Sequence, residues 1–118
     1  ESGNGIPNQV VLNKFHKNIP MHRQVVWSPL AESDFATFLG TSKKIGMKVT
    51  NNFINLTEEV IIQISVNPRQ FPVIYKKEKI RKCVLTKHNT LFYRYSKSHV
   101  DILRIYDTRQ DPETLTFK

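Results

Sequence analysis

The sequence predicts an α+β fold: an N-terminal strand, a two-helix hairpin and then a three-stranded antiparallel meander, all forming one twisted sheet. Three observations predict it. Apolar residues recur at helical spacing from Ala31 to Leu39 and again from Val49 to Ile64. From Arg81 onward the segments are short, rich in β-branched and aromatic residues and separated by polar connectors. The 118 residues contain no internal repeat and suffice for one core but not two.

The first twenty residues open with Gly3, Gly5 and Pro7 and hold one apolar patch, Val10-Val11-Leu12 with Phe15. They are read as an extension or covering arm, and the domain as residues 21–118. Its first strand is Arg23-Gln24-Val25-Val26-Trp27. Ser28-Pro29 then starts a helix, since a hydroxyl accepts from the free N–H groups of the first turn and proline lacks the N–H that would go unused there. Ala31, Phe35, Phe38 and Leu39 form its apolar stripe opposite Glu32, Ser33 and Asp34, and Gly40 offers a stop.

After the polar turn Thr41-Ser42-Lys43-Lys44 and Gly46, a second stripe of Val49, Phe53, Leu56, Val60 and Ile64 runs for about four turns. Asn67-Pro68 ends it, because the residue before proline is pushed out of the α region, and Pro72 predicts an irregular stretch. The strands follow at Arg81–Lys87, Leu91–Ser96 and Val100–Tyr106. Strict alternation puts Leu91, Tyr93 and Tyr95 on one face with Phe92 and Arg94 on the other, and groups Val100, Ile102, Arg104 and Tyr106 against Leu103 and Ile105. The helices are expected to cover one sheet face and leave the other open.

Function is constrained first by charge. A net charge of +8 favours anionic partners, either phosphate backbones or acidic proteins. Arg69, Lys76, Lys77, Lys79, Arg81, Lys82 and Lys87 are opposed in their stretch by Glu78 alone. A single cysteine, Cys83, rules out an internal disulfide and a cysteine-based metal site. The histidines His16, His22, His88 and His99 lack metal-binding spacing, and no cofactor is expected. No apolar run is long enough to cross a bilayer and no secretory signal is recognised, so the expectation is a cytoplasmic protein.

The segment Arg23-Gln24-Val25-Val26-Trp27-Ser28-Pro29-Leu30-Ala31, with the basic strand opening Ile80-Arg81-Lys82, resembles RelE/ParE toxins of type II toxin–antitoxin systems, the plasmid stabilisation family. So do Phe92-Tyr93-Arg94-Tyr95 and Ile102-Leu103-Arg104-Ile105-Tyr106-Asp107-Thr108-Arg109-Gln110-Asp111-Pro112. The resemblance spans Met21 to about Leu115. It implies a growth-inhibiting protein neutralised by a cognate acidic antitoxin, in a hetero-oligomer whose target is DNA gyrase for ParE-like members and ribosome-bound messenger RNA for RelE-like ones.

A RelE-like enzyme would be a metal-independent endoribonuclease. Cleaving the strand through its 2′-hydroxyl needs a proton acceptor, cations for the phosphate and an acid for the leaving oxygen. The resemblance places Arg109 where RelE-type enzymes carry a catalytic arginine, and a nuclease would use it with Arg94, Arg81 and Lys87. It also departs from the nuclease pattern: Asn89 stands where a middle-strand arginine is expected, and the tail from Asp111 to Lys118 has no tyrosine. Both departures favour ParE-like action by binding. On that reading Arg81, Lys82, Lys76, Lys77, Lys79, Tyr93 and Tyr95 contact the partner or a nucleic acid. A non-toxic basic nucleic-acid-binding module is the third reading. Arg104, between Leu103 and Ile105, is read as structural, paired with Asp101, Asp107 or a helix acid.

Overall fold

A computed structural model of the chain describes residues 23–40 and 46–117. The N-terminal arm with His16 and His22, and the Thr41–Lys44 turn, lie outside the described residues. The expected α+β class holds, and the sheet is larger than expected: β1 (Gln24–Trp27), β2 (Val73–Tyr75), β3 (Ile80–Thr86), β4 (Asn89–Tyr95) and β5 (His99–Asp107), in the order β1-β5-β4-β3-β2. Helices α1 (Pro29–Gly40) and α2 (Met47–Val66) stand between the first two strands in sequence. Antiparallel pairing runs from β2 through β5, and β1 lies parallel to β5, so the sheet is mixed.

Two corrections concern the sheet. The expected three-stranded meander is four strands long, because Val73–Tyr75, predicted to be irregular after Pro72, pairs with β3 as an edge strand. Proline is tolerated there: it sits just ahead of the strand and contributes its carbonyl, which accepts from Lys82 N–H at 3.1 Å. The alternation predicted for the last strand also fails midway. A bulge pairs Phe92 with Arg104 but Tyr93 with Ile102, leaving Leu103 as the extra residue. Side chains beyond it change face, so Ile105 joins Val100 and Ile102 in the helix-side core while Leu103 and Tyr106 belong to the cluster on the far face.

The main core lies between the helices and the sheet. Phe35 and Ala31 of α1, Phe53, Ile61 and Ile64 of α2, and Leu91, Tyr93, Val100 and Ile102 of the sheet are all buried. Phe38 stacks on Phe53 with ring centroids 4.0 Å apart, joining the two helices. Ser28 caps α1 as expected, its Oγ accepting from Ala31 N–H at 3.1 Å. The same hydroxyl donates to Leu103 O, and Ser28 N–H donates to Ile102 O.

Those bonds mark where β1 stops. Beyond Trp27 no strand among the described residues lies beside the outer edge of β5, and Asp34 of α1 reaches that edge. Asp34 accepts from Ile105 N–H at 3.0 Å and from the Arg104 guanidinium at 2.7 and 2.9 Å. A strand edge and a buried cation are thus satisfied by one carboxylate. Arg104 is structural as expected, with the helix acid as its partner.

The far face is not open. The C-terminal segment crosses it, with Leu115 and Phe117 packed on Ile80, Phe92, Leu103 and Tyr106. Asp111 caps a 3-10 turn over Pro112–Thr114 by accepting from Glu113 N–H, and Tyr106 Oη donates to Asp111 O. Arg104 Nη1 donates to Thr116 O at 2.8 Å. No helix among the described residues is long and apolar enough to cross a membrane.

Candidate functional site

The side chains assigned to nuclease chemistry are divided between the two ends and both faces of the sheet. Arg109 lies in the turn after β5, where Thr108 N–H donates to His88 O and Thr108 Oγ donates to Lys87 O. Arg109, Lys87 and His88 therefore occupy neighbouring turns beside Asn89. Arg81 and Arg94 lie toward the other end of β3 and β4, at the far end of a strand of six residue steps, about 20 Å in length. Arg81 is on the helix-side face with its pairing partner Tyr93, whereas Arg94 lines the far face.

Two of these four are held by carboxylates. Arg109 makes a forked pair with Asp107, Nε to Oδ1 at 3.0 Å and Nη2 to Oδ2 at 2.7 Å, with Arg109 N–H donating to Oδ1 as well. The hydrogen bond from the guanidinium holds the Asp107 carboxyl below its usual range and raises Arg109. Arg94 lies 3.8 Å from Asp101. His99 Nε2 lies 3.5 Å from the same carboxylate.

The lysines Lys76, Lys77 and Lys79 are exposed in the turn joining β2 to β3, and Lys82 projects from β3 on the far face opposite Phe92. The same face of the sheet carries a cavity of about 440 Å³. Its walls are Tyr75, Ile80, Leu103, Leu115 and Phe117, with Arg94 and Glu78 as the charged members. The hollow lies between the tail and the sheet, its apolar walls carrying one cation and one carboxylate. Sequence reasoning found the lysines but not the hollow, since its walls come from four strands and the tail.

The tyrosines differ from one another. Tyr93 is fully buried, its hydroxyl donating to Pro68 O at 2.7 Å, and burial pushes its phenol up to about 12. A ring so placed packs the core and offers no face to a partner. Tyr95 reaches the surface amid three guanidinium groups. Arg69 Nε donates to Tyr95 Oη at 3.1 Å, and the guanidinium carbons of Arg23 and Arg81 lie 5.4 and 5.5 Å from its ring centre. The Arg69 hydrogen bond lowers the Tyr95 phenol below its ordinary value.

Sequence reading singled out Arg81 and Tyr95 but missed Arg23 and Arg69 as their companions. Arg23 precedes β1, and Arg69 belongs to the 3-10 turn Pro68–Gln70. Among the described residues no group of three or more histidine, cysteine or carboxylate side chains is arranged to hold a metal ion. The chain matches no protein-family model and no curated protein.

Proposed function

We propose that the chain is the toxin of a RelE/ParE-type toxin–antitoxin pair and acts in the cytoplasm by binding its target, as ParE-like members bind DNA gyrase, rather than by cutting RNA. The observation that carries the choice of mechanism is the dispersal of Arg109, Arg94, Arg81 and Lys87 over two ends and two faces of the sheet. A single scissile phosphate cannot touch groups so separated. The order strand, helix, helix, meander supports the family reading together with the Ile102–Pro112 motif.

The acidic antitoxin has a fitting surface on the far face, where a hydrophobic side chain enters the cavity and flanking carboxylates meet Lys76, Lys77, Lys79, Lys82 and Arg94. The test is expression of the chain with and without the small acidic protein encoded beside it, followed by a supercoiling assay on purified gyrase. Growth arrest relieved by the neighbour, with supercoiling inhibited in proportion to toxin, is expected. Undiminished supercoiling at saturating toxin would overturn the gyrase target, and harmless expression alone would overturn the toxin reading.

A second reading is favoured by one observation. Arg109, Lys87 and His88 come together on adjacent turns, which offers two cations and an imidazole at one sheet end for a ribosome-dependent endoribonuclease. New cleavage sites in translated messages after induction, lost in Arg109→Ala, would establish it. An unchanged message pattern would remove it.

A further inference from the structure

The chain has six arginines, and they divide evenly. Arg94, Arg104 and Arg109 each face a carboxylate, respectively Asp101, Asp34 and Asp107. Arg23, Arg69 and Arg81 have no carboxylate in ion-pair range among the described residues, and all three touch Tyr95. Chance exposure does not gather three like charges about one ring; their mutual repulsion opposes it.

The groups are also held in place. Arg81 Nη1 donates to Arg69 O and Phe71 O at 3.1 and 2.6 Å, and Arg23 Nε donates to Ser96 O at 2.9 Å. Each guanidinium keeps further N–H groups beyond those bonds. The β4–β5 turn adds the hydroxyls of Ser96 and Ser98 at the same corner, both within 3.0 Å of His99 Nδ1. With Arg23 and Arg81 against its ring and Arg69 on its hydroxyl, Tyr95 acts as a spacer between cations and not as a platform for a base.

We propose that Arg23, Arg69 and Arg81, gathered around Tyr95, form a site for phosphate groups, supplied by the phosphodiester backbone of a nucleic-acid strand. Three forks of donors suit a ligand that offers several anionic oxygens in succession. Peptide recognition draws on apolar anchors seated in pockets, and the cavity that would take them opens on the opposite face of the sheet. A nucleic-acid backbone is held by charge and hydrogen bonds alone. The inference does not rest on the toxin reading, and the two fail separately: growth and gyrase assays test one, strand binding the other.

The experiment measures binding of a labelled single-stranded octanucleotide, as RNA and as DNA, to the full chain over a range of salt concentrations. Arg23→Gln and Arg69→Gln are compared with Lys48→Gln, which removes the same charge from the exposed first turn of α2. Arg81 is left in place because it pins the loop before β2. The slope of log affinity against log salt is expected to fall by roughly one for Arg23→Gln and for Arg69→Gln, and to stay near the parent value for Lys48→Gln. Tyr95→Phe, which deletes the hydroxyl that orients Arg69, is expected to weaken binding in the same direction.

Competition by inorganic phosphate separates the sources of the ligand. Retention of the strand in millimolar phosphate supports the backbone assignment; ready displacement overturns the strand as source and leaves a site for small phosphates. Equal slopes for all three glutamine variants would overturn the site itself. So would an octaglutamate peptide that binds as tightly as the octanucleotide and depends equally on Arg23 and Arg69.

Discussion

Cys83 sits on β3 with its side chain in the helix-side core, 3% exposed, and burial pushes its thiol from 9.0 up to about 11. Since the unfolded chain loses this proton near the ordinary value and the native chain keeps it, stability is complete below about pH 9 and declines as pH rises toward 11. The decline amounts to on the order of 2 kcal/mol. Tyr93, raised to about 12, adds a loss that begins a unit later, while the lowered phenol of Tyr95 acts in the opposite sense. Cys83→Ala is therefore expected to lower the melting temperature at pH 7 by the small amount due to lost packing, and to flatten its fall between pH 8 and pH 10. Melting curves at those values check it, and an unchanged slope would show that the thiol does not carry the alkaline sensitivity.

Among the elements, the β2–β3 hairpin holds the one residue other than glycine described with a positive φ, Lys79 at 61°, in a turn closed by Lys79 N–H donating to Lys76 O. A side chain in the left-handed region is disfavoured by about 1 kcal/mol, and glycine is not. Lys79→Gly should raise stability by about 0.5 kcal/mol after the greater freedom of the unfolded glycine is subtracted. The midpoint of a urea titration measures it; a fall would mean that the lysine makes a compensating contact. The hairpin also shows where the sequence stops being legible. Long stripes such as Val49 to Ile64 announce a helix because one period persists over several turns, and Ser28-Pro29 announces its predecessor by local chemistry. Val73–Tyr75 is three residues long and exposed throughout, so it has no buried side to imprint a period of two. The Leu103 bulge is similarly silent, because Ile102, Leu103 and Ile105 are apolar whichever face they take. Of the phosphate-site residues, Arg81 and Tyr95 stood out from a basic, aromatic stretch. Arg23 and Arg69 are joined to them only by the pairing order that brings β1, the 3-10 turn and β3 to one end of the sheet.

Across the whole molecule, one guanidinium links the three layers. Arg104 gives Nε and Nη2 to Asp34 on the helix side and Nη1 to Thr116 O in the tail, and its carbon lies 5.2 Å from the ring centre of Tyr106. The Arg104 and Asp34 side chains are 11% and 17% exposed, so removing the charge of Asp34 leaves a largely buried cation uncompensated. Asp34→Asn is expected to destabilise by about 3 kcal/mol. Phe117→Ala, which takes away the ring packed edge-on against Phe92 and Tyr75, should cost about 1 to 2 kcal/mol because the side chain is only half-buried. If the layers were independent, the two losses would add. They should not, because Asp34 fixes the guanidinium that the tail uses: once it turns away, the Thr116 bond is already weakened and Phe117→Ala takes less. The expected double-mutant deficit is about 0.5 to 1 kcal/mol, read from urea titrations of the two single variants and the double variant. Lys79→Gly paired with Asp34→Asn supplies the contrast, since the two sites share no partner and should add within about 0.5 kcal/mol. Strict additivity in the first pair would mean that the tail is a separate cover over the far face, free to leave when a partner fills the cavity; the deficit would mean that displacing it also loosens α1 from the edge of β5.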